Sequence, residues 1–229
     1  MPDSWVTALN SYRYPVRLSD YSRADEFPGF FTRDIAGRRA STIDFEDQFR
    51  AKSNQCIEAY FEVVFWVLCG RSKLFEASVD RIVDHLLNIG VQAAQLRAAI
   101  DDFVAGPSTP RLTALRSLLG IKADVLTVAL TFPAFVDPVR FPMVNRQTAK
   151  WVTGNLGAHN NGRRNALTAF WHPDRGLRYD NFDNYLNWVH WCRETAEILT
   201  GRTDMRWRAR DAEMAVFTAA RSGLSLNVL

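Results

Sequence analysis

The spacing of apolar residues along the chain predicts helices over most of its length. From Phe45 to Val67, apolar positions recur with the period of a helix face. This predicts one long helix that opens from Thr42, with Asp44 as its capping signal, and ends at Gly70. Shorter segments with helical spacing follow: 79–88, 91–104, 110–118, 123–132, 146–152, 181–199 and 208–221. Strand-like alternation of apolar and polar residues is missing over any useful length. The pattern therefore predicts an all-α fold.

Two stretches lack helical spacing. Residues 1–42 contain several prolines and glycines among aromatic residues and arginines, which predicts an irregular arm with one short helix. Residues 154–181 are rich in Gly, Asn and Arg, which predicts a long connection holding a turn or two of helix.

Composition narrows the class of protein. With 229 residues, 47% of them apolar, the chain can bury a substantial core. The longest apolar stretch, 125–136, is interrupted by Thr127, Thr131 and Pro133, and the first residues lack the layout of a signal peptide, so we expect a soluble intracellular protein with no membrane partner. The chain has three cysteines, and none of them belongs to a CxxC pair. This argues against a disulfide framework, a zinc site or an iron–sulfur cluster.

The basic residues are almost all arginine. The net charge of +3 is small, but Arg outnumbers Lys 24 to 4. Guanidinium groups suit phosphate because their planar fork donates paired hydrogen bonds. A GC-rich coding bias explains the same composition equally well. The shortage of lysine restricts any amine-based chemistry to Lys52, Lys73, Lys122 and Lys150.

Two short segments contain residues suited to chemistry. In Leu118-Leu119-Gly120-Ile121-Lys122 a glycine separates two predicted helices, and such a turn can offer backbone N–H groups to a phosphate. Helix–glycine–helix turns are also common without any ligand. In the second segment, the apolar run 141–144 ends at Asn145, followed by Arg146, Gln147 and Lys150. Asn145 is either a simple helix N-cap or a polar residue at the mouth of a cleft.

Together these segments resemble the helix-hairpin-helix base-excision DNA glycosylases. The family pattern is a Leu-Pro-Gly-Val-Gly-like hairpin, an apolar helix, and an apolar run closing on Val-Asp before another helix. Here these parts read Leu118 to Lys122, Val125 to Leu130, and Phe141-Pro142-Met143-Val144-Asn145. The clear resemblance covers residues 112–152.

The resemblance implies two helical subdomains with a base-binding cleft between them. Residues 71–154 would carry the helix-hairpin-helix motif, and residues 1–70 would join residues 155–229 in the other subdomain. The hairpin around Gly120, Ile121 and Lys122 would hold the DNA backbone. A monovalent cation could bind at this hairpin, and no other cofactor is expected. The segment Arg146, Gln147 and Lys150 would contact the same DNA.

Three positions depart from the family pattern. Lys122 replaces the second hairpin glycine, which adds an ammonium group near the phosphate. The Schiff-base lysine of the bifunctional members falls at Asp124, so lyase chemistry is not implied. Asn145 occupies the position of the catalytic aspartate, and a carboxamide cannot ionise to stabilise a cationic sugar or activate water. Either the chain is an inactivated form, or another carboxylate such as Asp124, Asp137 or Asp211 does the work.

The resemblance also implies a pocket for the everted base. The last helix of the family lines this pocket, which assigns Asp211 to hydrogen bonds with the base and Trp207 to stacking, with Trp66 as a second stacking candidate. Each has a simpler interpretation, since acidic residues stabilise helix starts and most tryptophans are core.

The sequence therefore predicts a monomeric, cytoplasmic DNA glycosylase-like protein, associated with the nucleoid in a prokaryote. It would evert a damaged or modified base from duplex DNA and excise it, most simply by monofunctional hydrolysis. Asn145, with Lys122 as the nearest amine, would mark the catalytic position. The alternative is a DNA-binding protein that keeps the fold without the chemistry, and a third class is a helical protein-interaction module.

Overall fold

The computed structural model describes residues 3–70, 75–121, 126–170 and 182–229. In these ranges the chain is mostly helical, and the strands are β1 (Val16–Arg17) and β2 (Asp34–Ile35), an antiparallel pair with Val16 opposite Ile35. The all-α prediction is confirmed. The α-helices are, in chain order, α1 (Asp3–Asn10), α2 (Arg39–Lys52), α3 (Glu58–Cys69), α4 (Glu76–Asn88), α5 (Ala93–Ala105), α6 (Thr109–Leu118), α7 (Leu126–Val136), α8 (Arg146–Asn155), α9 (Phe182–Arg202) and α10 (Ala209–Ser222).

The chain divides into two units. The central unit is Arg13–Val136, and the terminal unit combines Met1–Tyr12 with Asp137–Leu229. The boundaries differ from the predicted 1–70 with 155–229 and 71–154. Residues 13–70 belong to the central unit because α2 and α3 pack on α7, and residues 137–154 belong to the terminal unit because α8 packs on α10.

Helix α7 forms the middle of the central unit. Its apolar side chains are buried from Leu126 to Phe135, and it packs against α2, α3, α5 and α6. Phe135 meets Phe45 edge-on at 5.4 Å between ring centroids, and Phe132 lies 5.9 Å from Phe49. A helix that is apolar all round is stable in water only when surrounded in this way.

The single long helix predicted from residue 42 to Gly70 is wrong. Helix α2 ends at Lys52, a turn follows, and α3 begins at Glu58. The turn is held by the Tyr60 hydroxyl, which donates to the Ser53 carbonyl at 2.9 Å. The break lets both helices place apolar faces on α7, which one straight helix would not achieve.

The predicted stop before Pro133 is also wrong, since α7 continues to Val136 with the proline inside it. Proline has no N–H, so the Ala129 carbonyl lacks its usual helical donor. Burial of Phe135 and a 2.8 Å hydrogen bond from Arg50 Nη1 to the Phe135 carbonyl hold the last turn in place. Tertiary packing here outweighs the local cost of the proline.

Helix α10 forms the middle of the terminal unit, and α1, α8 and α9 pack against it. Its residues from Ala209 to Ala219 are all buried. Trp188 and Trp191 of α9 stack at 5.6 Å between centroids. Trp5 of α1 donates from Nε1 to the Asn227 carbonyl at 2.9 Å, which ties the first helix to the last residues. The two ends of the chain therefore share one core.

Candidate functional site

The apolar run before Asn145 is packed into the terminal unit. Phe141, Met143 and Val144 are buried, and Trp188 Nε1 donates to the Met143 carbonyl at 3.1 Å. The start of α10 lies beside the segment that leads into this run, because the Ala209 and Arg210 N–H groups donate to the carbonyls of Val139 and Pro138. This anchoring fixes where the chain emerges at Asn145.

Asn145 is the N-cap of α8. Its backbone is extended (φ −150°, ψ 173°), and its Oδ1 accepts from the N–H groups of Gln147 at 2.9 Å and Thr148 at 3.1 Å. The Thr148 hydroxyl oxygen accepts from the Asn145 N–H at 3.0 Å, which completes a reciprocal capping box. The N-cap interpretation of Asn145 is confirmed, and its side chain is half-buried.

The capping geometry leaves one end of the carboxamide unused. Within the described ranges no hydrogen bond forms from Asn145 Nδ2. An aspartate in the same rotamer would use one oxygen for the cap and present the other where Nδ2 now lies. The position therefore offers hydrogen-bond donors in this chain, where an aspartate would offer a negative charge.

Two cations follow Asn145 on one face of α8. Arg146 and Lys150 lie four residues apart and are both exposed, while Gln147 between them is half-buried. Neither cation forms an ion pair with any residue that the structure describes. Unpaired cations at the start of a helix are suited to an anionic partner, since the helix dipole there also favours negative charge.

The turn at Gly120 is confirmed, and its backbone N–H groups cap the C-terminal end of α6. Gly120 has φ +63°, and the N–H groups of Gly120 and Ile121 donate to the Ser117 and Arg116 carbonyls. This is a Schellman motif, so these two amides are not free for a phosphate. A Cβ at Gly120 would lie 2.4 Å from ring atoms of His85, so the close approach that the glycine permits is to that histidine.

Other parts of the predicted hairpin site fall elsewhere. Two positions lie outside the described residues: Lys122, which was predicted to contact a phosphate and to provide the nearest amine, and Asp124. Ile121 is buried. Gly120 belongs to the central unit and Asn145 to the terminal unit, so a groove shared by these two positions stays a prediction.

The predicted pocket residues are deeply buried. Trp207 donates from Nε1 to Thr203 Oγ1 at 3.0 Å. Asp211 has no solvent-exposed surface, and it accepts three hydrogen bonds from the backbone N–H and the guanidinium of Arg208. Both residues therefore already have internal partners that stabilise the start of α10.

Trp66 is enclosed in the central unit by Tyr14, Phe45 and Phe135, with the Tyr14 ring centroid 4.6 Å away. Its Nε1 has no hydrogen-bond acceptor among the described residues. A buried N–H without an acceptor costs about 1–3 kcal/mol, which makes Trp66 the least satisfied of the three predicted pocket residues.

Of the alternative carboxylates, Asp137 is engaged as well. It pairs with Arg140 and accepts from the Arg140 N–H at 3.1 Å, which closes the turn before Phe141. Asp137 and Asp211 are the two alternatives to a catalytic aspartate that the structure describes, and each of them pairs with a neighbouring arginine. A neighbouring arginine favours the ionised form of each carboxylate and fixes its orientation.

Buried polar groups that the sequence did not single out organise the residues after α8. Glu194 accepts from the backbone N–H groups of Arg164 and Asn165, each at 3.0 Å. Burial opposes the charge of this carboxylate, but these hydrogen bonds and that from Asn165 Nδ2 lower the pKa of Glu194. An acidic residue in the middle of a helix gives no sequence signal for this role.

His159 lies among Trp5, Trp151 and Trp191, with its ring centroid 4.8 Å from that of Trp151. Burial, followed by the nearby charge of Arg163, lowers the pKa of His159 below its ordinary value of 6.5. The imidazole is therefore a buried aromatic group that stays neutral at neutral pH.

A surface hollow of about 270 Å³ lies in the central unit between the α2–α3 turn and the start of α5. Its walls include Ile57, Glu58, Val91 and Gln92. Sequence spacing gave no indication of it, because its sides come from two separate segments, 55–58 and 86–93.

Charge is unevenly divided between the units. The terminal unit contains 13 Lys and Arg against 10 Asp and Glu, whereas the central unit contains 15 of each sign. The whole formal net charge of +3 therefore belongs to the unit that contains Asn145, Arg146 and Lys150. A net positive unit favours association with polyanions.

Neither a membrane-spanning helix nor a metal cluster is found in the described part of the chain. None of its helices combines the length and the apolar character needed to cross a bilayer. Likewise, no group of His, Cys, Asp and Glu side chains in these ranges is arranged to hold a metal ion. No protein-family model, curated protein or solved structure matches the chain.

Proposed function

We propose that this protein is a DNA glycosylase-like protein that binds duplex DNA and everts a damaged or modified nucleotide beside Asn145. It works as a monomer in the cytoplasm, at the nucleoid in a prokaryote. The reaction of this class is monofunctional hydrolysis of the N-glycosidic bond, in which a carboxylate and water act without a cofactor. The absence of lysine at position 124 leaves no counterpart for a Schiff-base step.

One observation carries the proposal. A buried apolar run ends at a half-buried N-cap, Asn145, and the helix that it caps presents Arg146 and Lys150 on one exposed face. This arrangement places a fixed polar side chain beside two free cations. Phosphates on either side of an everted nucleotide provide the matching negative charges.

The same geometry favours a second candidate, a DNA-binding protein without cleavage. Asn145 Oδ1 is occupied by the cap, and the free end of the side chain is a donor that cannot activate water. Asp137 and Asp211 are both held by arginines. On these grounds the wild-type chain binds and everts its target with little or no base release.

The test is to restore the carboxylate. We expect Asn145→Asp to raise base release from a panel of lesion-containing duplexes by about a hundredfold to ten-thousandfold over wild type, the range for gaining a general acid–base group or charge stabiliser. Asn155→Asp, at the other end of α8, is the matched control and should give no gain. Binding is measured in parallel by gel shift at a low and a high salt concentration.

The outcomes separate the candidates. Base release by the Asn145→Asp variant alone supports a glycosylase site with an inactivating residue. Salt-sensitive binding with no release from any duplex supports the binding protein. Failure to bind duplex DNA even at low salt refutes both and leaves the protein-interaction module.

A further inference from the structure

Asn161 and Gly162 form the only Asn-Gly pair in the sequence, and they lie in an exposed turn after α8. The Arg163 N–H donates to the Asn160 carbonyl at 3.2 Å, which closes a four-residue turn with Gly162 at its third position. Gly162 has φ +70°, as a type II turn requires. An Asn-Gly pair is the sequence most prone to attack of the backbone on its own side chain.

We propose that Asn161 is a site of spontaneous deamidation in the folded protein. The backbone nitrogen of Gly162 attacks Cγ of Asn161 and forms a new C–N bond. The Cγ–Nδ2 bond breaks, and ammonia leaves with the proton from the Gly162 nitrogen. Water then opens the resulting succinimide at either carbonyl, which gives aspartate or isoaspartate. The only co-reactant is solvent water, and no oxidant or reductant takes part.

The contacts of Asn161 leave it free to react. Its side chain is exposed and has no hydrogen bond among the described residues. Gly162 has no neighbouring atom within 4 Å of where a Cβ would lie, so the attacking backbone is not shielded on that side. The Gly162 N–H donates to no backbone carbonyl in this part of the structure. The peptide between the two residues can rotate toward the side chain because glycine tolerates a wide range of conformations.

The neighbouring asparagines provide internal controls. Asn160 is held by Leu167, whose N–H donates to its Oδ1 at 2.6 Å and whose carbonyl accepts from its Nδ2 at 3.0 Å. Asn155 donates from Nδ2 to the Trp151 carbonyl at 2.8 Å. Neither residue precedes a glycine. Asn161 thus differs from both in its following residue and in its lack of restraint.

The modification changes the charge of the terminal unit. Each event replaces a neutral amide with a carboxylate, so the formal net charge falls by one from +3. The new charge lies two residues before Arg163, whose guanidinium packs over Trp191 at 4.9 Å. Aged protein therefore separates from fresh protein on a cation exchanger.

Mass spectrometry tests the proposal on the intact chain. The folded protein is incubated at neutral and mildly alkaline pH and then digested briefly with trypsin, with an unincubated sample as the zero point. Cleavage after Lys150 and Arg163 gives one peptide, 151–163, that contains Asn155, Asn160 and Asn161. We expect aspartate and isoaspartate to accumulate at position 161 several-fold faster than at 155 or 160, and faster at the higher pH.

Two further measurements make the result decisive. Gly162→Ala should slow the conversion strongly, with circular dichroism confirming the fold, because a side chain hinders the attacking nitrogen. A sample unfolded in urea reports the intrinsic reactivity of the peptide. Conversion at 161 in urea but not in the folded protein would show that the turn protects Asn161 and would overturn the proposal. Equal rates at 160 and 161, or an unchanged rate in Gly162→Ala, would overturn it as well.

Discussion

Asn145 stabilises α8 as its N-cap, and this role can be tested separately from any role in catalysis. Its Oδ1 satisfies two N–H groups at the start of α8, which otherwise have no partner in the helix. An aspartate oxygen can make the same bonds and adds a charge that the helix dipole favours. Stability and chemistry at this position therefore respond differently to different substitutions.

We expect Asn145→Ala to lower the free energy of unfolding by about 1 kcal/mol, the usual cost of losing an N-cap side chain. Asn145→Asp should leave the stability equal or slightly higher. Urea denaturation followed by circular dichroism measures both. If Ala and Asp destabilised the protein equally, the cap described for Oδ1 would be wrong.

His159 makes stability depend on pH. Because its pKa is lower in the folded protein than its ordinary 6.5, the unfolded chain takes up the proton first as the pH falls. The contribution of His159 is therefore fully present above pH 6.5 and is lost as the pH falls from there toward the folded pKa. The slope from this single proton is at most about 1.4 kcal/mol per pH unit.

The variant His159→Phe should flatten the stability profile below pH 6.5, because an apolar ring in the Trp cluster has no proton to bind. His190→Gln, at an exposed position of α9 outside the Trp cluster, is the control for replacing a histidine. Urea denaturation across this pH range provides the measurement. A profile that steepened in His159→Phe would contradict the assignment.

At the scale of elements, two helices end in the same way but in different surroundings. Gly90 after α4 and Gly120 after α6 both have positive φ, at +61° and +63°. A Cβ at Gly90 meets nothing within 4 Å, whereas one at Gly120 meets the ring of His85. The pair separates the cost of the backbone conformation from the cost of packing.

We expect Gly90→Ala to cost about 1–2 kcal/mol of stability, from left-handed backbone strain alone. Gly120→Ala should cost about 1–3 kcal/mol more, because the added methyl overpacks against His85. The excess should shrink in a His85→Ala background, measured as a double-mutant cycle. Equal costs for the two glycine variants would show that His85 yields without strain.

The exposed face of α8 predicts how DNA binding responds to salt. Arg146→Gln and Lys150→Gln should each reduce the slope of log affinity against log salt by about 0.9, as expected when one phosphate contact is lost. Arg193→Gln removes an exposed cation from α9 and should leave the slope unchanged. The slopes are measured by titrating duplex binding at several salt concentrations. If the three variants changed the slope equally, the attraction would be diffuse and α8 would not be the interface.

Sequence spacing predicted the elements better than their ends. The N-cap at Asn145 and the turn at Gly120 followed from residue types with a strong local preference. The break between α2 and α3 did not, because residues 53–57 contain neither glycine nor proline and the break serves packing on α7. The continuation of α7 through Pro133 was not predicted either, because packing around α7 outweighs the local tendency of proline to end a helix.

The candidate site was harder to predict than the elements. Spacing assigns Trp207 and Asp211 to the start of a helix, but it does not tell which side of that helix is buried. In the structure both face inward and are paired with Thr203 and Arg208. Such pairing depends on contacts that a linear pattern does not contain.

At the scale of the whole molecule, the charge and the candidate site coincide. The terminal unit contains the full net charge of +3, together with Asn145 and the free cations of α8. The central unit, neutral by the same count, contains Gly120 and Trp66. The subdomain boundaries could not be placed from sequence because they depend on which helices pack on α7 and α10.

The discontinuous terminal unit has a consequence for biosynthesis. Helix α1 leaves the ribosome long before its packing partners, α10 and the residues around Asn227, have been translated. Until residues 137–229 have been made, Trp5 therefore lacks the surroundings that bury it, while all of residues 13–136 can leave the exit tunnel and fold. Nascent chains stalled before residue 209 should leave this amphipathic segment open to chaperones.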